Sequence, residues 1–230
     1  MERHRVQKIL SNRGYCSRRR AEELIQQGRV MVNGKIISIG TSAYESDDIR
    51  VDGQKTAATK KLVLMFHKPT GCVTALTDKF HKTIMDYIDL YERVYPVGRL
   101  DSNTSGLLLL TNDGDFANSV MHPRYEVIKT YQAECDTLIT DDIVRKLRTG
   151  MIIDERTVRC TANKISPERI EITLNEGRKH IVKKLLKECG LHVVALKRTK
   201  IGKLSLGNLK YGQWRILEKK EIDLVKAKKK

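Results

Sequence analysis

One run dominates the pattern of apolar and polar positions. Residues 107–110 are four leucines, preceded by Gly98-Arg99-Leu100-Asp101-Ser102-Asn103-Thr104-Ser105-Gly106 and followed by Thr111-Asn112-Asp113-Gly114. A short continuous apolar run between turn-forming residues predicts a strand buried on both faces. Towards the N-terminus, Val6, Ile9 and Leu10 share one face of a helix over residues 3–12, and Gly14 can end it in a left-handed cap. Ser17 can cap a second helix over 18–27, with Ala21, Leu24 and Ile25 at the helical period and Gly28 past its end. Asn33-Gly34 separates predicted strands at 29–32 and 35–37, and a third strand at 48–51 ends at Asp52-Gly53. Residues 54–61 lack large apolar side chains, and 56–61 read as a linker.

Beyond the linker, an apolar strand over 62–66 leads into a turn at His67-Lys68-Pro69-Thr70-Gly71 and a strand over 72–75. Thr83 caps a short helix carrying Ile84, Tyr87 and Ile88. A helix over 115–121 stops at Pro123, and 129–135 read as a strand. The helix over 140–149 has Asp141 and Asp142 in its first turn and Arg145, Lys146 and Arg148 later, which matches the helix dipole. Weak strands follow at 157–160 and 163–165. Ile170, Ile172 and Leu174 alternate along a strand with one buried face. A polar turn at 176–179 opens a helix over 180–189. Short strands at 193–196, 204–206 and 214–217 and a basic tail at 226–230 complete the chain. The expectation is an α+β protein in two domains. A small two-helix, short-strand unit spans 1–55, and a larger domain with a mostly antiparallel, mixed sheet spans 62–230.

Charge changes this picture. The net charge is +16, and it is unevenly distributed: +4 over 1–58, zero over 59–174 and +12 over 175–230. Two basic ends around a neutral middle point to a polyanion partner, with nucleic acid first among them. Arg18, Arg19 and Arg20 occupy the first turn of a helix, where the dipole disfavours cations, so they read as phosphate contacts. The five cysteines at 16, 72, 135, 160 and 189 form no Cys-x-x-Cys pair and have no histidine at zinc-ligand spacing, so no metal is expected. Their scatter suits reduced thiols and a cytoplasmic location. The N-terminus shows charges without the apolar core of a signal peptide, and no run approaches the ~20 apolar residues of a membrane helix. No Gly-x-Gly-x-x-Gly or Walker-type loop is present, so no nucleotide cofactor is expected.

Asp101, at the mouth of the predicted buried strand, is where a fold commonly presents a reacting group, although an ordinary loop acid paired with Arg99 would sit there too. The wider motif pattern decides between them. Residues 14–22 (Gly-Tyr-Cys-Ser-Arg-Arg-Arg-Ala-Glu) and 28–34 (Gly-Arg-Val-Met-Val-Asn-Gly) make the N-terminal unit resemble the RNA-binding module named after small-subunit ribosomal protein S-four. The rest resembles the ribosomal-RNA pseudouridine synthases of the RsuA type. The matching pieces are Lys68-Pro69-x-Gly71, the block 98–114, His122-Pro123-Arg124, Lys129-Thr130-Tyr131, Glu176-Gly177-Arg178-Lys179 and Ile201-Gly202-x-Leu204 through Trp214-Arg215.

The resemblance implies isomerisation of uridine to pseudouridine without a cofactor, on a flipped base. It implies Asp101 as the catalytic carboxylate and Tyr131 as the residue against the base. Lys183 falls where the family places an Arg that pairs with that Asp. Lys keeps the charge but cannot make the two-pronged contact of Arg. Ile181 likewise stands where the family has Gln, which leaves Arg99 and Arg178 to compensate. Arg18, Arg19, Arg20, Arg29, Arg99, Arg178 and Lys179 are the expected RNA contacts. The partner is ribosomal RNA or a ribosomal assembly intermediate, bound by a monomer. The segment Val73-Thr74-Ala75-Leu76-Thr77-Asp78 and the compact length favour small-subunit over large-subunit RNA. The competing readings are a non-catalytic ribosome-assembly factor of the same fold and, more weakly, a metal-dependent nuclease using Asp113, Asp115, Asp141 and Asp142.

Overall fold

The computed structural model describes residues 2–226, so most of the basic tail lies outside the described residues. The chain divides into two compact units. One comprises Met1–Leu62, Leu90–Val94 and Asn112–Gly114, and the other Val63–Asp89, Tyr95–Thr111 and Asp115–Lys230.

The first unit contains β1 (His4–Arg5), α1 (Val6–Asn12), α2 (Arg18–Gln26), β2 (Val30–Val32), β3 (Lys35–Ile36), β4 (Ser42–Ala43), β5 (Ile49–Val51) and β6 (Gln54–Lys55). Its antiparallel sheet has the order β3-β2-β5-β6, and β1 pairs with β4. The predicted apolar stripes meet: Val6, Ile9 and Leu10 pack on Ala21, Leu24 and Ile25, closed by Val30, Ile49 and Val51. Ser17 caps α2, its hydroxyl accepting from the Arg20 amide at 3.1 Å. Gln54 and Lys55, although they lack large apolar side chains, extend the sheet. The reason is Arg13, which is buried and donates to Thr56 O and Thr56 Oγ1 at 3.1 and 2.8 Å and to Glu45 O at 2.6 Å. These bonds draw the segment in.

The second unit contains β7 (Val63–Lys68), β8 (Tyr95–Val97), β9 (Thr104–Thr111), α3 (Gly114–Met121), β10 (Lys129–Cys135), α4 (Asp141–Thr149), β11 (Met151–Ile153), β12 (Arg156–Val158), β13 (Thr161–Ser166), β14 (Arg169–Leu174), α5 (Ile181–Glu188), β15 (Val193–Ile201), β16 (Leu204–Ser205), β17 (Trp214–Ile216) and α6 (Lys219–Val225). The main sheet runs β13-β14-β10-β15-β9-β7-β17, with β8 on β9 and β16 on β15. The β9–β15 pair is parallel and the other pairs of this sheet are antiparallel, as a mixed sheet requires. All eight residues of β9 are buried, as the leucine run predicted.

The second unit also departs from the sequence pattern. Residues 72–75 form no strand beyond an isolated bridge from Val73 to Thr83, because Thr74 is engaged with Leu100 instead. The strand expected at 193–196 continues to Ile201, since its later polar residues still alternate in burial. Residues 219–225, unassigned in the sequence, form α6, with reciprocal caps between Glu218 and Glu221.

Candidate active site

Asp101 is carried on the loop that enters β9, and its backbone is fixed from three sides. Lys68, the last residue of β7, is fully buried. Its Nζ donates to the carbonyls of Pro69 (2.9 Å), Asp101 (3.0 Å), Thr104 (3.1 Å) and Ser102 (3.4 Å). Gly71 N donates to Ser102 O at 2.8 Å. The Thr74 hydroxyl donates to Leu100 O at 2.7 Å and accepts from Leu100 N at 3.2 Å. A lysine with no exposure is rare, and this one is tolerated because its charge is met by aligned carbonyl dipoles. Burial lowers its pKa, while Cys72 and Asp101 act in the opposite direction.

The loop opens onto a cleft of about 300 Å³. Asp101, Arg99, Arg178, Lys179 and His180 line it from loops, and Lys129, Tyr131, Leu196, Arg198 and Ile201 from strands β10 and β15. The second set shares one face of the sheet. Tyr131 is paired in register with Arg198, and Lys129 with Ile201, across the β10–β15 ladder. Lys129 and Tyr131 are two residues apart on one strand, and side chains at that spacing point the same way. Arg198 is also paired with Gly106 on β9. A Cβ at Gly106 would lie 2.2 Å from Arg198 O, so only glycine lets the two strands approach at this point.

Tyr131 is thus brought to the same cleft as Asp101, and Arg99, Arg178 and Lys179 stand around it. Arg178 is already engaged: its guanidinium bonds Glu176 at 2.5 and 3.3 Å and Ile153 O at 2.8 Å. Lys183 does not meet the expectation of a partner for Asp101. Its Nζ donates to Asn103 Oδ1 at 2.6 Å. The group beside Asp101 is His180, whose Nε2 lies 3.3 Å from Asp101 Oδ1. The cause is local. His180 adopts a left-handed backbone (φ 58°, ψ 21°) at the start of α5, turning its ring onto the carboxylate, and Asn103 stands where Lys183 arrives. A non-glycine residue in that region is unusual, and such conformations concentrate at functional sites.

In the first unit, Arg18, Arg19 and Arg20 are exposed on the first turn of α2, with Arg20 paired to Glu23 at 2.8 Å. Arg29 makes a two-pronged contact with Asp52 at 2.8 and 2.6 Å. Among the described residues no group of three His, Cys, Asp or Glu side chains could hold a metal ion.

Sequence reasoning missed His180, Lys68, Lys129 and Arg198. Lys129 had a usable signal in its two-residue spacing from Tyr131. The other three depend on backbone conformation or on pairing between distant strands.

Comparison with known proteins agrees with this architecture. Residues 62–188 match the model of the RNA pseudouridylate synthase family, and residues 4–49 match the S4 domain. The chain is 39% identical over 233 residues to ribosomal large subunit pseudouridine synthase B of Bacillus subtilis (strain 168), covering 97% of this chain and 96% of that one. It is 35% identical over 227 residues to the dual-specificity RNA pseudouridine synthase RluF of Escherichia coli (strain K12), covering 96% and 78%. A crystal structure of a pseudouridylate synthase superposes with a TM-score of 0.72 at 27% identity, covering 96% of this chain and 99% of that one. With a family model over more than half its length and relatives of this identity over nearly all of it, the chain belongs to the RNA pseudouridylate synthase family.

Proposed function

We propose that this protein isomerises a uridine of ribosomal RNA to pseudouridine, with Asp101 as the reacting carboxylate. The observation that carries the reading is the composition of the cleft. Asp101 is the one carboxylate among its lining residues, facing Tyr131 and several cations. The reaction needs a single carboxylate at the sugar, whether it adds to carbon 1′ or removes the 2′ proton. It needs cations to receive a polyanion, and no change of oxidation state. His180 holds the Asp101 side chain in place through its Nε2, and Lys183 acts one step removed, through Asn103 on the same loop. Tyr131 lies against the extruded base. Base extrusion costs a few kcal/mol, which phosphate contacts offset. Exposed Arg99 and Lys179 at the cleft and Arg18, Arg19 and Arg20 on α2 supply those contacts.

For the target, the Bacillus subtilis relative is named as a large-subunit enzyme and is covered almost end to end. This favours large-subunit ribosomal RNA over the small-subunit reading of the sequence. A ribosomal-RNA substrate supports a cytoplasmic location. The test is base-resolved mapping of pseudouridine in ribosomal RNA from cells with and without the protein. The expected result is one or a few sites lost from large-subunit RNA. An unchanged map would contradict the proposal, and a site lost from small-subunit RNA would contradict the target.

A further inference from the structure

Two cations on the sheet side of the cleft are left over from this reading. Arg198 is only 4% exposed, yet among the described residues a single hydrogen bond engages its guanidinium. Nε donates to Leu107 O at 2.8 Å, while Nη2 is buried without a hydrogen-bond partner. A buried, unpaired guanidinium N–H is costly, and such a group calls for an explanation. Lys129 lines the same cleft two residues from Tyr131, partly buried, and among the described residues no acceptor receives its ammonium. Burial, and then the field of Arg198, brings its pKa down to about 8. Two neighbouring cations repel each other, and their mutual field is relieved by a ligand that brings acceptors or negative charge. They lie beside Tyr131, itself buried, whereas Arg99 and Lys179, which suit backbone phosphates, are exposed. That depth suits a base.

We propose that Lys129 and the guanidinium of Arg198 bind the carbonyl oxygens of the extruded uracil and stabilise it as an anion once it has left the sugar. This rests on the isomerisation proposed above. When the bond between carbon 1′ and nitrogen 1 breaks, its electron pair stays with the base, spread over nitrogen 1 and oxygens 2 and 4. Asp101 meets the electron demand left at the sugar. The uracil turns, carbon 5 donates a pair to carbon 1′, and the new carbon–carbon bond forms. The carbon 5 proton passes to the carboxylate freed in that step, relayed by the Tyr131 hydroxyl; nitrogen 1 takes up a proton from solvent, and the Asp101 carboxyl returns its own to solvent, which restores the carboxylate. Atoms and charge balance without an oxidant or a co-reactant. Fixed cations aimed at charge that develops during the reaction are the arrangement that lowers such a barrier most.

The test uses the full chain, ribosomal RNA transcribed in vitro with either uridine or 5-fluorouridine, and three measurements: RNA affinity, single-turnover loss of the N-glycoside, and thermal unfolding. Lys129→Met should keep RNA affinity and lose roughly 10²–10³-fold in rate on uridine RNA. Its Tm should not fall, because no hydrogen bond is removed. Lys129→Arg should recover part of the rate. On 5-fluorouridine RNA, whose base is a more stable anion, the loss in Lys129→Met should shrink. A Lys129→Met rate near wild type would overturn the proposal, provided the wild type is active and Asp101→Asn is not. A loss of equal size on both RNAs, or one explained by a lower Tm, would mark Lys129 as structural and overturn it as well. Failure of the wild type to form pseudouridine would instead sink the underlying assignment.

Discussion

Lys68 shows how a single residue can set the geometry of a site without touching substrate. Its ammonium reaches four carbonyls around Asp101 and has no exposure to water. Removing it leaves those oxygens short of a donor, at a cost of about 1–3 kcal/mol for such groups. Lys68→Met is expected to lower Tm by several degrees, at roughly 2–4 °C per kcal/mol for a chain of this size. It should also slow turnover with little change in RNA affinity, since Lys68 reaches no phosphate. Calorimetry together with single-turnover rates checks both. Lys129 carries a pH signature of opposite sign to the usual salt bridge. Its folded pKa is about 8 against an ordinary 10.5, so between those values the unfolded chain holds a proton that the folded chain has released. Stability therefore rises with pH across that window, and the penalty of the buried cation is fully present below about 8. Thermal unfolding at about pH 7 and about pH 10 should show this rise, and Lys129→Met should flatten it; an equal rise in the variant would contradict the assignment.

The elements explain which parts of the fold were legible in sequence. β9 was readable because four leucines between turn residues admit little else, and all its residues are buried. β10 was readable with its ends, and α4 with its cap, because local pattern and tertiary role agree there. β15 was cut short at Leu196, because Lys197, Arg198 and Lys200 look like solvated loop residues in the sequence. In the sheet Arg198 is a buried strand residue paired with both Tyr131 and Gly106, and no local signal encodes a pairing across that distance. His180 escaped notice for a related reason: nothing marks a histidine in advance for a left-handed backbone. Asp101 and Tyr131 were legible through motif spacing, while their surroundings were set by pairing between strands. The tightest approach is at Gly106. Gly106→Ala would place a Cβ 2.2 Å from Arg198 O on a backbone with φ 114°. The substitution is expected to prevent folding or to force β9 and β15 apart, read as loss of soluble protein or of a cooperative transition. A variant as stable as wild type would show that the parallel pair is looser than described.

At the scale of the whole molecule, charge is the organising quantity. The protein carries +16 overall, and Arg18, Arg19 and Arg20 stand exposed in a unit whose core is separate from that of the catalytic unit. Replacing all three by glutamine is expected to weaken RNA binding. The slope of log affinity against log salt should decrease by roughly 0.7–0.9 for each phosphate that is no longer neutralised. The same variant should retain its single-turnover rate at saturating RNA, because no residue of the cleft changes. Salt titrations of binding check this, and an unchanged slope would remove α2 from the RNA-binding surface. If one carboxylate in a basic cleft carries out the isomerisation, Asp101→Asn must abolish it. The substitution is nearly isosteric and keeps the loop bonds, which use the Asp101 backbone and not its side chain. The measurement is base-resolved pseudouridine in ribosomal RNA incubated with purified wild type or Asp101→Asn. Conversion by the wild type and none by the variant, with RNA affinity nearly equal, is the expected result. Conversion by Asp101→Asn at the wild-type rate would contradict it.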